Sequence, residues 1–217
     1  MGREAVHPSI GLLIEQHGGG DPGEIIRREA RNLVAMAKAV GWQGPPFDPE
    51  MLASIRNIRV ERVPPSQVRE AVLLPDTSAG NFVVKINGEQ PEERLRFGLL
   101  HEVSHTFFPD CASAVRHRGH QQHDAAFEAL CDAGASELLF PLDDFVADVH
   151  DLGGPTFDAL RVLRERYHAS WEATGSRLVG TSSVTCAMVV LARRHKPAEV
   201  NAGPYLPGME PQRRLRV

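Results

Sequence analysis

His101-Glu102-Val103-Ser104-His105 is the stretch on which the fold of this 217-residue chain turns. Around it Leu95, Leu99, Leu100 and Val103 recur at helical spacing, and Pro91-Glu92-Glu93 sets a proline and two acids in a first turn. A helix is therefore predicted from Pro91 to about Phe107, stopping before Pro109. On such a helix residues i and i+4 lie about 40° apart in azimuth and one turn apart along the axis. His101 and His105 can thus offer two imidazoles to one tetrahedral ion. Glu102 is rotated about 100° from His101. There it flanks the metal without ligating it, and a carboxylate so placed can take a proton from the attacking water. Chance alone produces H-E-x-x-H in roughly 3% of chains of this composition, so the surroundings must carry the argument.

The third ligand decides more. The extended form of the motif needs Gly at 108 and His at 111, where this chain has Phe108 and Cys111, so that class is excluded. The other route is a carboxylate from a second helix. One is predicted from about Asp124 to Leu139, ended by Pro141, and it carries Glu128 and Asp132 one turn apart on a single face. Taken alone, two acids so spaced read as a solvated face; beside the His101–His105 helix they read as a site. Glu128 can complete a His₂Glu set that leaves a fourth position for water. Asp132 can accept a hydrogen bond from the free ring nitrogen of a ligating histidine, His101 by analogy with thermolysin-like enzymes, and so hold its tautomer. Zn²⁺ is the expected ion, although such a set also accepts Mn²⁺ or Fe²⁺. His117, His120 and His123 are read as solvated loop residues, the alternative being that one of them ligates the metal in place of Glu128, and Cys131 as a small buried thiol packing the core, the alternative being an approach to the metal. A peptidase also needs a group to stabilise the oxyanion. Tyr167, His168, His150 and Arg177 are the candidates, and the sequence does not choose among them.

Outward from the motif, three strands are predicted at Ile58–Val63, Ala71–Leu74 and Asn81–Asn87. The last is the richest in β-branched residues and is closed by Asn87-Gly88. It is either a core strand or an edge for an extended substrate. Glu24–Val40 has helical periodicity ended by Gly41. Asp48-Pro49-Glu50 reads as a cap opening a short helix to about Asn57. Beyond Pro141 a further turn or two is expected over Asp143–Val149, then two short helices over Thr156–Tyr167 and Ser170–Val179, with Ser183–Arg194 undecided between strand and helix.

Hydrophobic residues make up 42% of the chain and charged residues 24%, which excludes fibrous and wholly disordered classes. The net charge of −4 makes a general nucleic-acid coat a poor fit, and the basic run Arg193-Arg194-His195-Lys196 is read as a solvated face. The longest apolar stretch, Val184–Ala192, is half of what a membrane helix requires. Three cysteines without a Cys-x-x-Cys pair, and an N-terminus without an apolar signal core, point to the cytoplasm.

Beyond the single motif, the chain resembles the ImmA/IrrE metallo-endopeptidases over roughly Glu24–Leu178. The resemblance rests on Gly44-Pro45-Pro46-Phe47-Asp48, the strand ending Ile86-Asn87, Arg94 through His105, Glu128-Ala129-Leu130-Cys131-Asp132, and Ser136-Glu137-Leu138-Leu139-Phe140-Pro141. After Pro155, Leu163-Arg164-Glu165-Arg166-Tyr167 and Arg177-Leu178 are similar to a helical pair that family members often carry. The resemblance implies a gluzincin-like zinc fold and cleavage of a helix-turn-helix repressor, in stress response or mobile-element control. Many relatives add their own N-terminal helix-turn-helix, for which residues 1–22 are too short, and some a longer C-terminal sensor domain.

The expectation is an α+β fold with a zincin-like metallopeptidase domain over 23–152. It is preceded by a flexible leader over 1–22 and followed by a C-terminal helical appendage and Pro-rich tail over 153–217, with the natural chain expected to continue past Val217. The expected function is a cytoplasmic zinc endopeptidase acting on a protein substrate, with no membrane and no direct nucleic-acid partner. The alternatives are a non-catalytic metal-containing module that sequesters a repressor or toxin, and, more remotely, a DNA-binding regulator acting through residues 156–179.

Overall fold

Eight helices and six short strands are formed by the residues that the computed structural model describes, namely 7–76, 81–113, 116–117, 125–194 and 214–216. β1 (Ile58–Val63), β2 (Ala71–Pro75) and β3 (Phe82–Asn87) fall on the predicted strands. β3 runs parallel to β1, with Val60 opposite Val84, and antiparallel to β2, with Leu73 opposite Val84. β4 (Arg116–His117) adds two residues to the other edge of β2. Being central, β3 buries Val83, Val84 and Ile86, as a strand covered on both faces does. Both of its edges are paired, so it does not offer the substrate-binding edge that its sequence allowed.

α2 (Pro22–Ala39) and α3 (Pro49–Ile55) begin where capping chemistry predicts. Asp21 Oδ1 accepts from Glu24 N at 2.9 Å and Asp48 Oδ1 from Glu50 N at 2.9 Å, each with proline in the first turn. One expectation fails upstream. Residues 7–17 are not a flexible leader, because Pro8–Gln16 form α1, with Ile10 and Leu13 buried in the core against α2. Pro8 at the helix start and apolar residues at 10, 13 and 14 are the signal, carried by a helix of only nine residues.

α4 (Glu92–His105) lies between the sheet and α5 (Ala125–Leu139). Every residue from Gly98 to His105 is consequently buried, which is why this helix lacks a polar stripe. Gly134 of α5 lets the two helices approach. A Cβ there would lie 2.6 Å from Ser104 Oγ, 2.9 Å from Ser104 Cβ and 3.1 Å from Ile26 Cγ2 of α2. Gly134→Ala is expected to destabilise the protein by about 1–3 kcal/mol despite alanine's better helix propensity, because three packed elements must part. Thermal unfolding checks this. Ser104→Gly in the Gly134→Ala background should recover part of the loss, and an unchanged melting temperature for Gly134→Ala would refute the close-approach account.

α6 (Leu142–Asp151), α7 (Phe157–Tyr167) and α8 (Trp171–Thr181) follow, the last two capped by Thr156 and Ser170. Their apolar residues Phe145, Ala159, Leu163, Tyr167 and Leu178 belong to the same continuous cluster as Leu100 and Leu138, so the core runs on past Gly153. Ion pairing adds a tie, since Arg164 reaches Glu93 of α4 at 3.1 Å. Within the undecided 183–194 stretch only β5 (Ala192–Arg194) is regular, pairing antiparallel with β6 (Arg214–Arg216). His195, Lys196 and the proline-rich tail up to Gln212 lie outside the described residues.

Candidate metal centre

The two motif histidines sit in the last two turns of α4, both buried, with ring centroids 5.0 Å apart and planes at 76°. Their rings are held from α5. His101 Nε2 lies 3.1 Å from Glu128 Oε2, and His101 Nδ1 lies 2.8 Å from Asp132 Oδ1. The i,i+4 spacing of the two acids thus brings one carboxylate to each nitrogen of a single imidazole. His105 stacks on Phe127 at 5.4 Å, and its Nδ1 lies 3.3 Å from Cys131 Sγ. Its Nε2 faces Glu102 Oε2 at 4.0 Å.

Glu102 is fully buried, and Oε2 accepts a hydrogen bond from the backbone N–H of Leu73 at 3.0 Å. β2 therefore pins the carboxylate against the histidine pair. No sequence pattern announces that bond, since it joins a strand and a helix 29 residues apart. Exposure rises across the site: Glu128 is 24% exposed at its side chain and Asp132 50%, so α5 forms its solvent side.

The donor set fits a divalent ion. His101, His105 and Cys131 each offer a ligand atom within 4.8 Å of the other two, all buried, and Glu128 stands at the outward nitrogen of His101. Sequence reasoning favoured core packing for Cys131 over an approach to the metal; the structure buries it and also sets its sulfur against a motif histidine. The signal was available, because Cys131 follows Glu128 by three residues and adjoins Asp132 on the same helix.

Two of the four oxyanion candidates, Tyr167 and Arg177, are engaged within the core. Tyr167 is wholly buried between Phe140 and Phe145, and its hydroxyl donates to Asp148 at 2.8 Å. Burial first, and the Asp148 bond second, hold that phenol far above the usual range. Arg177 Nη2 donates to Glu137 Oε2 at 2.8 Å and to the Phe140 carbonyl at 2.5 Å, an ion pair that ties α8 to the end of α5. His168 ends α7 in the left-handed conformation, with φ 49°. His150, 89% exposed at its side chain, lies in the last turn of α6 beside Asp151. For Tyr167 and Arg177 the correction has one physical cause: a polar group whose hydrogen bonds are consumed inside the core is not aimed into a cleft. Of the loop histidines, His117 contributes its backbone to β4, while His120 and His123 lie outside the described residues.

A groove of about 930 Å³ opens beside Asp132, lined also by Phe97, Leu139, Phe140, Arg164 and Trp171. Its walls include residues of α4, α5, α7 and the start of α8. No helix among the described residues is long and apolar enough to cross a membrane.

Comparison with known proteins gives concordant matches. The M78 peptidase family, described as the IrrE N-terminal-like domain, matches residues 55–179. The radiation response metalloprotease IrrE of Deinococcus deserti is 31% identical over 130 residues, covering 56% of this chain and 40% of that protein. Its namesake from Deinococcus radiodurans is 28% identical over 140 residues, covering 62% of this chain and 42% of that protein. The match therefore spans about two fifths of the length of these curated relatives.

Proposed function

This chain belongs to the M78 family of IrrE N-terminal-like peptidase domains, and on that premise we propose that it is a zinc-dependent endopeptidase whose substrate is a regulatory protein. The observation that supports it most is the packing of α5 on α4. That packing puts Glu128 at Nε2 of His101 while Glu102, pinned by Leu73 N, faces Nε2 of His105. His101, His105 and Glu128 would hold the ion. When bound, the ion supplies a Lewis acid that polarises the scissile carbonyl and makes the attacking water more acidic.

The remaining steps fall to the chain's own residues. Glu102 takes the proton of the attacking water and returns it to the leaving amine. Its burial keeps bulk water from competing, and the Leu73 N–H stabilises the carboxylate that must form again after each turnover. Asp132 accepts the Nδ1 proton of His101, which leaves the Nε2 lone pair directed outward. The groove beside Asp132, lined by apolar Phe97, Leu139 and Trp171 and by charged Glu93, Arg94 and Arg164, is the candidate seat of the polypeptide substrate.

The substrate class we favour is a helix-turn-helix repressor, cut at few sites in the cytoplasm during stress or mobile-element control. The radiation response named for the two Deinococcus relatives accords with a stress role. The zincin-like unit is proposed over 23–152 with the helical pair as its C-terminal extension, α1 being packed against it.

Elemental analysis of the purified protein tests the site. About one zinc per chain is expected in the wild type, and loss of it in Glu128→Ala. Incubation with a panel of purified helix-turn-helix repressors, read by mass spectrometry with and without chelator, tests the activity. A metal-loaded protein that binds such a repressor but never cuts it would replace the peptidase with a sequestering module.

A further inference from the structure

Two neighbouring residues of α5 meet the Nδ1 atoms of the two motif histidines. Asp132 stands 2.8 Å from Nδ1 of His101, and Cys131 Sγ stands 3.3 Å from Nδ1 of His105. The Nε2 atoms face different groups, Glu128 at His101 and Glu102 at His105. From this arrangement we infer that Cys131 is a positioning residue for His105, its sulfur accepting the Nδ1 proton as Asp132 does for His101. The inference rests on the proposed metal site, and it adds a residue that the His₂Glu set does not contain.

The chemistry follows from the tautomer. A neutral imidazole carries one N–H and one lone pair, so a ring that ligates through Nε2 must carry its proton on Nδ1. That proton needs an acceptor, since His105 is buried and an unsatisfied buried donor costs the full desolvation of that group. Carboxylate or carbonyl oxygens usually fill this role. Here an α5 sulfur stands at that nitrogen, a weaker acceptor at a position closed to solvent, as Cys131 is itself wholly buried. Phe127 stacks on the ring and limits its rotation, so the sulfur contact sets the direction of the Nε2 lone pair. The two histidines are thus unequally supported, with a half-exposed carboxylate behind His101 and a buried thiol behind His105.

The same sulfur lies close enough to both imidazoles to compete as a ligand. Geometry favours the positioning role, because Sγ approaches the nitrogen of His105 that points away from Glu102. The two roles differ in a spectroscopic signature as well as in affinity.

The test uses full-length wild type, Cys131→Ala, Cys131→Ser and His101→Ala. Zinc affinity is measured by competition with a chromophoric chelator, thermal melting of the metal-free proteins checks the fold, and the cobalt(II)-loaded proteins are examined for a sulfur-to-cobalt charge-transfer band. We expect Cys131→Ala to weaken zinc binding about 10–100-fold, the usual loss when such a supporting partner is removed. Cys131→Ser, whose hydroxyl still accepts, should recover most of it, and the cobalt wild type should lack the band. Equal zinc affinity in wild type and Cys131→Ala would reduce the thiol to packing and overturn the inference. A charge-transfer band in the wild type, lost in Cys131→Ser, would overturn it in favour of direct ligation. Should the wild type bind no zinc, or His101→Ala bind it equally well, the metal site itself falls and this inference with it.

Discussion

Glu102→Gln is expected to lower protein cleavage by about 10²–10⁴-fold, the range for loss of a general base, while zinc content stays at about one per chain. The substitution is nearly isosteric. The oxygen of the introduced amide can still accept from Leu73 N, so the contact at 3.0 Å that seats this side chain on β2 is retained. What disappears is the basicity of the group. Burial amplifies the effect, because no bulk solvent reaches a wholly buried position to take over the proton. The measurement pairs turnover of a cleaved repressor with elemental analysis of the same preparation. Cleavage at the wild-type rate by a zinc-loaded Glu102→Gln protein would end the general-base assignment. Loss of zinc along with activity would instead make Glu102 a structural part of the metal site.

The second large effect is on stability. Arg177→Ala should cost about 3–5 kcal/mol, the range for removing one partner of a buried ion pair. Glu137 is almost completely buried, and besides Arg177 its carboxylate accepts the Leu142 N–H at 3.1 Å, where α6 begins. Without the guanidinium that charge stays in the core, and the Phe140 carbonyl also loses its donor. Thermal and denaturant unfolding read the loss. Replacing both partners by Arg177→Met and Glu137→Gln should recover much of it, since the uncompensated charge is the main penalty. Kinetics separate this role from oxyanion stabilisation. A stable Arg177→Ala protein with a collapsed kcat would return Arg177 to the reaction, whereas a destabilised protein with normal kcat below its melting range keeps it in the scaffold.

These two residues mark where sequence reasoning succeeds and where it stops. That His101, Glu102 and His105 share one helix, and Glu128 and Asp132 another, was legible because helical spacing orders groups by a local repeat of about 3.6 residues. β1 to β3 were legible for a similar reason, as β-branched runs between turn signals. Arg177 and Tyr167 were not legible as scaffold. Their partners Glu137, Phe140 and Asp148 lie 19 to 40 residues away, and spacing says nothing about which helix packs on which. α1 was missed because its nine residues precede a glycine run that outweighed a short apolar pattern.

The sequence by itself determined the α+β class, the helix that carries both imidazoles, and the second helix that carries the acids. All of these depend on periodicity and capping within one segment. The tertiary structure alone decided which nitrogen of which histidine each α5 side chain meets, that Leu73 of β2 pins Glu102, and that β3 is a central strand. Those outcomes depend on the separation of α4 from α5 at Gly134 and on strand order, which are set by side-chain volumes meeting across the core.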